Sequence, residues 1–182
     1  CDTNKVEVMQ LAALAGIDMV NDVYALRGEG AERFASLSGL PVCLMHMQRE
    51  PRTMQENPVY GNLIEEIRSF FEKRIAACVS MGIERERLIL DVGFGFGKSV
   101  EHNLTLVNRL NLFLDFDLPL LVGMSRKSTI GQITDDRMVG SLAAALFALE
   151  RGARIIRVHD VAETVAAVRV WRSIQAETVI DE

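Results

Sequence analysis

Five short apolar runs, each closing on polar residues and each set off by a long segment of helical period, constrain this chain more than any single motif. The runs are IDMVND (17–22), PVCLMH (41–46), LILDVG (88–93), PLLVGMS (119–125) and RIIRVHD (154–160). The segments around them repeat apolar residues every three or four positions. One opens at Asn4 with Glu7 in capping-box spacing and stops at Gly16, and another covers 60–81 and stops at Gly82. Ser99 is placed to cap 100–113, a further helix covers 135–152, and Asp160 with Glu163 forms a box that starts the last. Near-continuous apolar strands alternating with helices imply a parallel sheet covered on both sides, in one domain. Two architectures satisfy this grammar: an open doubly wound sheet, or a (β/α)8 barrel without its first units. Both gather their functional groups at the carboxyl ends of the strands.

At those ends stand Asn21 and Asp22, His46, Asp91, the run Ser125-Arg126-Lys127, and Arg157, His159 and Asp160. Strand alternation puts Arg157 with His159 on one face, Ile89 with Asp91 and Gly93, and Cys43 with Met45. A carboxylate directly after Leu-Ile-Leu must be desolvated, so Asp91 needs donors nearby or a raised pKa. Lys127 and Arg157 can serve Asp91 or a bound anion. A structural ion-pair network is the plainer reading of the same charges. His46 reads as a structural hydrogen-bonding histidine.

The stretch DVGFGFGKS, 91–99, resembles a phosphate loop but fails both glycine-loop patterns. A P-loop requires glycine where Val92 stands, and the dinucleotide fingerprint requires glycine where Lys98 stands. Its glycines instead allow a tight turn, and Lys98-Ser99 serves as a helix start.

Composition removes other classes. With 49% hydrophobic residues and a net charge of −5 there is no broad basic surface for nucleic acid. No run approaches the ~18 apolar residues of a membrane span. Cys1, Cys43 and Cys78 lack metal-ligand spacing, and the last two read as buried reduced thiols of a cytoplasmic protein. The methionines, including Met45, Met47, Met54 and Met124, read as core, and Trp171 packs its helix with Val168.

MVNDV, GLPVCLMHMQ, LILDVGFGFGKS, LPLLVGMSRKS and GARIIRVHDVAETV occur in an order and spacing that resemble the bacterial dihydropteroate synthases, sulfonamide-inhibited enzymes of folate synthesis. The resemblance covers essentially all 182 residues and implies a (β/α)8 TIM barrel. Residues 1–182 would form a single pterin-binding domain running from the end of strand 3, closed by Asp2, to helix 8. The first two to three strands would be absent, and the passage from Thr134 to Asp135 is shorter than usual. The implied reaction joins p-aminobenzoate to 6-hydroxymethyl-7,8-dihydropterin pyrophosphate by dissociative substitution, giving 7,8-dihydropteroate and pyrophosphate.

The resemblance assigns the pterin site to Asp2, Asn21, Met45, Asp91, Gly95, Phe96, Gly123, Lys127 and Arg157. It assigns p-aminobenzoate to Ser128 and Phe96, pyrophosphate to Arg157 and His159, and the catalytic work to Lys127, Arg157 and His159. Mg²⁺ is the implied cofactor, with its protein contacts on an absent amino-terminal loop and none in this chain. A homodimer through the last helices is the implied assembly. Val92 replaces the family's usual proline, with a slightly looser loop, a modest effect on affinity and no loss of activity expected. Two alternatives share the pocket: a folate-binding domain of a corrinoid-linked methyltransferase, which needs no Ser125–Ser128 motif, and a non-catalytic pterin-binding module.

Overall fold

The computed structural model describes residues 1–49, 53–54 and 57–180. Its strands β1 (Val20–Asp22), β2 (Val42–Met45), β3 (Leu88–Asp91), β4 (Leu120–Val122) and β5 (Ile155–Ile156) pair in parallel in the order β1-β2-β3-β4-β5. Spatial order follows chain order, which decides between the two architectures. A doubly wound sheet reverses direction partway, whereas a barrel adds each strand beside the last. The sheet is a sector of a (β/α)8 barrel, and it does not close on itself among the described residues. Asp2 makes one parallel bridge to Asn21, on the side of β1 away from β2.

The two faces of the sheet separate cleanly by residue parity. Val20, Val42, Leu44, Leu88, Leu90, Leu120 and Val122 pack in the main core with buried residues of the helices. Cys43, Ile89 and Leu121 form a second cluster with Met19 and Ile155, on the face turned away from the helices. The helices thus cover one face and not both, because a curled sheet fills its inner face with its own side chains.

The helices are α1 (Val6–Leu14), α2 (Ala31–Ser38), α3 (Leu63–Ser80), α4 (Val100–Asn108), α5 (Ser128–Gly131), α6 (Arg137–Glu150) and α7 (Val161–Ala176). Two of the expected helix starts form differently. The Asn4–Glu7 box is absent: α1 begins at Val6 and Lys5 stands at its N-cap with no side-chain cap. Asp160 stands before α7 but caps no N–H with its side chain. Its carboxylate accepts from the Arg126 guanidinium instead, with Arg126 Nε at 3.0 Å, a two-point contact in which both partners are charged. Ser99 does cap α4, accepting from the His102 backbone N–H at 3.1 Å while His102 Nδ1 accepts from that of Ser99 at 3.2 Å. Beyond α4 the chain tightens into a 3₁₀ stretch, Leu110–Phe116, that buries Leu110, Phe113 and Phe116. The short α2 was not evident in the periodicity; it spans two turns between Gly30 and Gly39 and buries Ala31 and Ala35.

Candidate active site

Parity carries the inner face from core to rim. One step of two residues beyond Met19, Cys43, Ile89, Leu121 and Ile155 lie Asn21, Met45, Asp91, Gly123 and Arg157. Five of the expected pterin-site residues therefore form a single layer at the carboxyl ends of five neighbouring strands. Asp2 joins the same layer, accepting from Asn21 Nδ2 at 3.2 Å and lying 3.7 Å from Arg157 Nη1.

Asp91 is buried, and its Oδ1 accepts from the Gly93 N–H at 2.7 Å. Burial raises its pKa above the ordinary carboxylate value, opposed by Lys127, the Gly93 bond, Arg157 and Lys98. The raised pKa and the nearby donors that a carboxylate after Leu-Ile-Leu requires are both present. Asn21 is also buried, and its Oδ1 has no hydrogen-bond partner among the described residues. A buried orphan acceptor beside a carboxylate is a place where a ligand N–H replaces water at a gain.

Lys127 reaches this layer from the β4–α5 loop. Its ammonium donates to the Phe94 carbonyl and stands 4.5 Å from the Phe96 ring centroid. Burial lowers its pKa to about 8, although Asp91 pulls the other way. The loop it grips, Gly93 to Lys98, is built by close backbone approach. A Cβ on Gly93 would stand 1.8 Å from the His46 carbonyl oxygen, at a φ of +69°. At Gly95 the crowding atom is Lys127 Cδ, 3.1 Å from an added Cβ. These glycines thus make room for the protein's own groups. Gly123 similarly leaves room for Arg157, whose guanidinium nitrogens would lie 3.2–3.3 Å from a Cβ there.

Arg157 and His159 are exposed on the rim. His159 is seated by Ser125: its backbone N–H donates to Ser125 Oγ at 3.2 Å, and its Nδ1 lies 2.9 Å from the same oxygen. That leaves Nε2 as the ring's free edge. Ser128, exposed, is the first residue of α5. Met45 is buried beside Asp91 across the β2–β3 register, and Phe96 is half-buried.

The sequence reading missed several supports. Asn103, buried on α4, accepts from the Gly95 N–H at 2.8 Å and donates to Thr129 Oγ1 at 2.9 Å. Tyr60 donates its hydroxyl to the Gly97 carbonyl at 2.8 Å. Lys98 is buried and does more than start a helix; its Nζ lies 3.0 Å from His46 Nδ1 and donates to the Phe96 carbonyl at 2.9 Å. His46 is the hydrogen-bonding histidine anticipated. Val92, the substituted proline position, is buried in the helix-facing core. Cys43 and Cys78 are buried and free. No helix among the described residues is long and apolar enough to cross a membrane. No group of three or more His, Cys, Asp or Glu that could hold a metal ion occurs among them either, so no step below is routed through a metal held by this chain.

A family profile described as "Pterin binding enzyme" matches residues 1–159. The dihydropteroate synthase of Haemophilus influenzae is 48% identical over 176 residues, covering 94% of this chain and 64% of the relative. That of Escherichia coli K12 is 52% identical over 173 residues, covering 93% and 61%. Among solved structures, Yersinia pestis dihydropteroate synthase with a sulfonamide drug superposes with a TM-score of 0.94 at 46% identity, over 97% of this chain and 66% of that one. The Xanthomonas albilineans enzyme in complex with 7,8-dihydropteroate gives 0.90 at 43%, over 96% and 68%. The chain thus spans 61–64% of the length of these two curated relatives.

Proposed function

Because this chain belongs to the pterin binding enzyme family, we propose that its rim is the pterin pocket of a dihydropteroate synthase. The observation that carries the reading is that the buried Asp91 carboxylate and the orphan acceptor of Asn21 both stand at the carboxyl ends of their strands, with Lys127 and Arg157 acting on Asp91. A pterin's amino-pyrimidine edge offers adjacent N–H donors. The Asp91 carboxylate accepts from that edge, and Asn21 Oδ1 takes a further donor. Lys127 donates to a ring acceptor, and the Arg157 guanidinium lies along the ring. Each charge-assisted hydrogen bond contributes about 1.5–3 kcal/mol, so four or five support micromolar binding after the costs of association.

In the proposed reaction the bond between the pterin methylene carbon and the pyrophosphate oxygen breaks, and its electron pair leaves with pyrophosphate. The aromatic amine nitrogen of p-aminobenzoate forms the new carbon–nitrogen bond and releases one proton to solvent. The chain supplies no nucleophile and needs none. Arg157 and the His159 Nε2 edge face the departing negative charge, which is stabilisation where charge develops. Asp91 supports positive charge growing on the pterin. Ser128 and the Phe96 ring receive p-aminobenzoate. We propose Mg²⁺ as a companion of the pyrophosphate oxygens, supplied from outside these residues. A cytoplasmic homodimer completes the reading, supported by exposed Val170 and Ile174 on α7.

The experiment is turnover by the full-length protein with the pterin pyrophosphate, Mg²⁺ and labelled p-aminobenzoate. Labelled dihydropteroate is the expected product. Pterin binding without product would favour a non-catalytic module, and methyl transfer from a methylated folate to a corrinoid acceptor would favour the methyltransferase.

A further inference from the structure

Lys98 is a buried cation that the proposed chemistry does not use. Its ammonium has three directions to satisfy and finds three acceptors, all uncharged: His46 Nδ1 at 3.0 Å, the Phe96 carbonyl at 2.9 Å and the His46 carbonyl at 3.4 Å. His46 is held neutral, with burial and Lys98 itself lowering its pKa to about 2. Its Nδ1 is therefore the acceptor and its proton is on Nε2. The ring is fixed edge-on to Phe70, with centroids 5.0 Å apart. The ammonium also lies against Gly93, whose Cβ would come within 3.3 Å of Nζ. A point charge is thus stapled between the end of β2 and the loop that carries Gly93, Gly95 and Phe96.

We infer that Lys98 is a positioning residue of the pterin pocket: it ties the Phe96 carbonyl to His46 and so holds in place the loop that carries Gly93, Gly95 and Phe96. Lys127 grips the same loop from the opposite side through the Phe94 carbonyl and the Phe96 ring, so the two lysines hold the turn between them. A loop held on both sides keeps Asp91 and Phe96 at fixed separation before the ligand arrives, which is where a pocket saves ordering cost. The same charge also bears on Asp91. The charged groups acting on Asp91 are Lys98 from its own loop, Lys127 from the β4–α5 loop and Arg157 from the end of β5. Asp2 stands at Arg157 and Asn21, and Cys43 and His46 from β2 bring no charge in the acid range. Lys98 itself is shifted to about 7 by burial, so it is charged below neutrality.

This inference rests on the pterin-pocket reading, and its test separates the two. The full-length protein and its Lys98→Met variant are compared by calorimetry with 6-hydroxymethylpterin and by kinetics across pH. Lys98→Met is expected to weaken pterin binding and raise the pterin KM about tenfold, with a smaller change in kcat, as expected for one lost charged hydrogen bond. It should also move the acid limb of kcat/KM toward neutral, because Asp91 loses a neighbouring cation. Should Lys98→Met not fold, His46→Ala removes an acceptor yet keeps the charge, and it should raise KM with the acid limb unmoved. KM within twofold and an acid limb unchanged in Lys98→Met, or KM within twofold in His46→Ala, would overturn the inference. Failure of the unsubstituted protein to bind pterin would instead overturn the pocket reading, and with it this role.

Discussion

Asp91→Asn removes a charge and almost nothing else, which makes its consequence calculable. The Gly93 N–H at 2.7 Å keeps an acceptor if the amide oxygen takes that position, so the turn survives. The amide nitrogen then faces the ligand, presenting a donor to the donor edge of the pterin. The variant loses at least one charge-assisted bond and is left with an unfavourable contact. At about 1.5–3 kcal/mol for the bond and more for the mismatch, the loss is at least about 2 kcal/mol, or about 30-fold or more in affinity. A second effect accompanies it. Lys127, lowered by burial to about 8, is raised by Asp91 before any other group, so without that carboxylate it loses its proton at lower pH. Calorimetry with 6-hydroxymethylpterin at pH 6.5 measures the first effect, and the alkaline limb of kcat/KM measures the second. Affinity within threefold of the unsubstituted protein, with an unmoved alkaline limb, would refute the assignment of Asp91.

Activity of the unsubstituted protein should persist below pH ~8 and fall as pH rises through it, since the Lys127 ammonium is needed and its folded pKa lies below its free value; full activity at pH 10 would contradict this. Lys127→Met should cost about 2 kcal/mol in transition-state stabilisation, read as about a 30-fold loss in kcat/KM, and a rate within twofold would count against its role. Gly93→Ala should destabilise the fold by at least ~2 kcal/mol in urea titration, since the new methyl meets the His46 carbonyl at a left-handed φ. Ser99→Ala should cost about 1 kcal/mol by the same titration, because it removes the cap of α4, and no change would show the box to be idle.

Strand positions and the rim residues were legible because alternation survives any uncertainty about strand ends. Met19 to Arg157 fall on the inner face whether a strand is counted as two residues or six. The choice between barrel and doubly wound sheet was not legible from periodicity, since both use the same βα unit; spatial order of the strands separates them. Helix caps were read less well where a competing charge lay far along the chain. Asp160 has box spacing with Glu163, yet Arg126, 34 residues earlier, claims its carboxylate. Lys98 was misread for the opposite reason: in sequence it is a polar residue before a helix, and only the fold brings His46 within 3.0 Å of it. The glycines of residues 93–97 were correctly read as close approaches, and the His46 and Gln48 carbonyls and the Lys127 side chain are among the groups that approach. Asn103 and Tyr60 gave no signal, because a supporting amide or hydroxyl looks like any other in a linear sequence.

The pocket claim is tested most directly by a crystal structure of the full-length protein with 6-hydroxymethylpterin bound. The account predicts the amino-pyrimidine edge within hydrogen-bond distance of the Asp91 carboxylate, with Asn21 Oδ1 accepting a ligand N–H and the ring beside Lys127 and Arg157. A pterin seated elsewhere, or one in the pocket that leaves Asn21 Oδ1 without a partner, would contradict it.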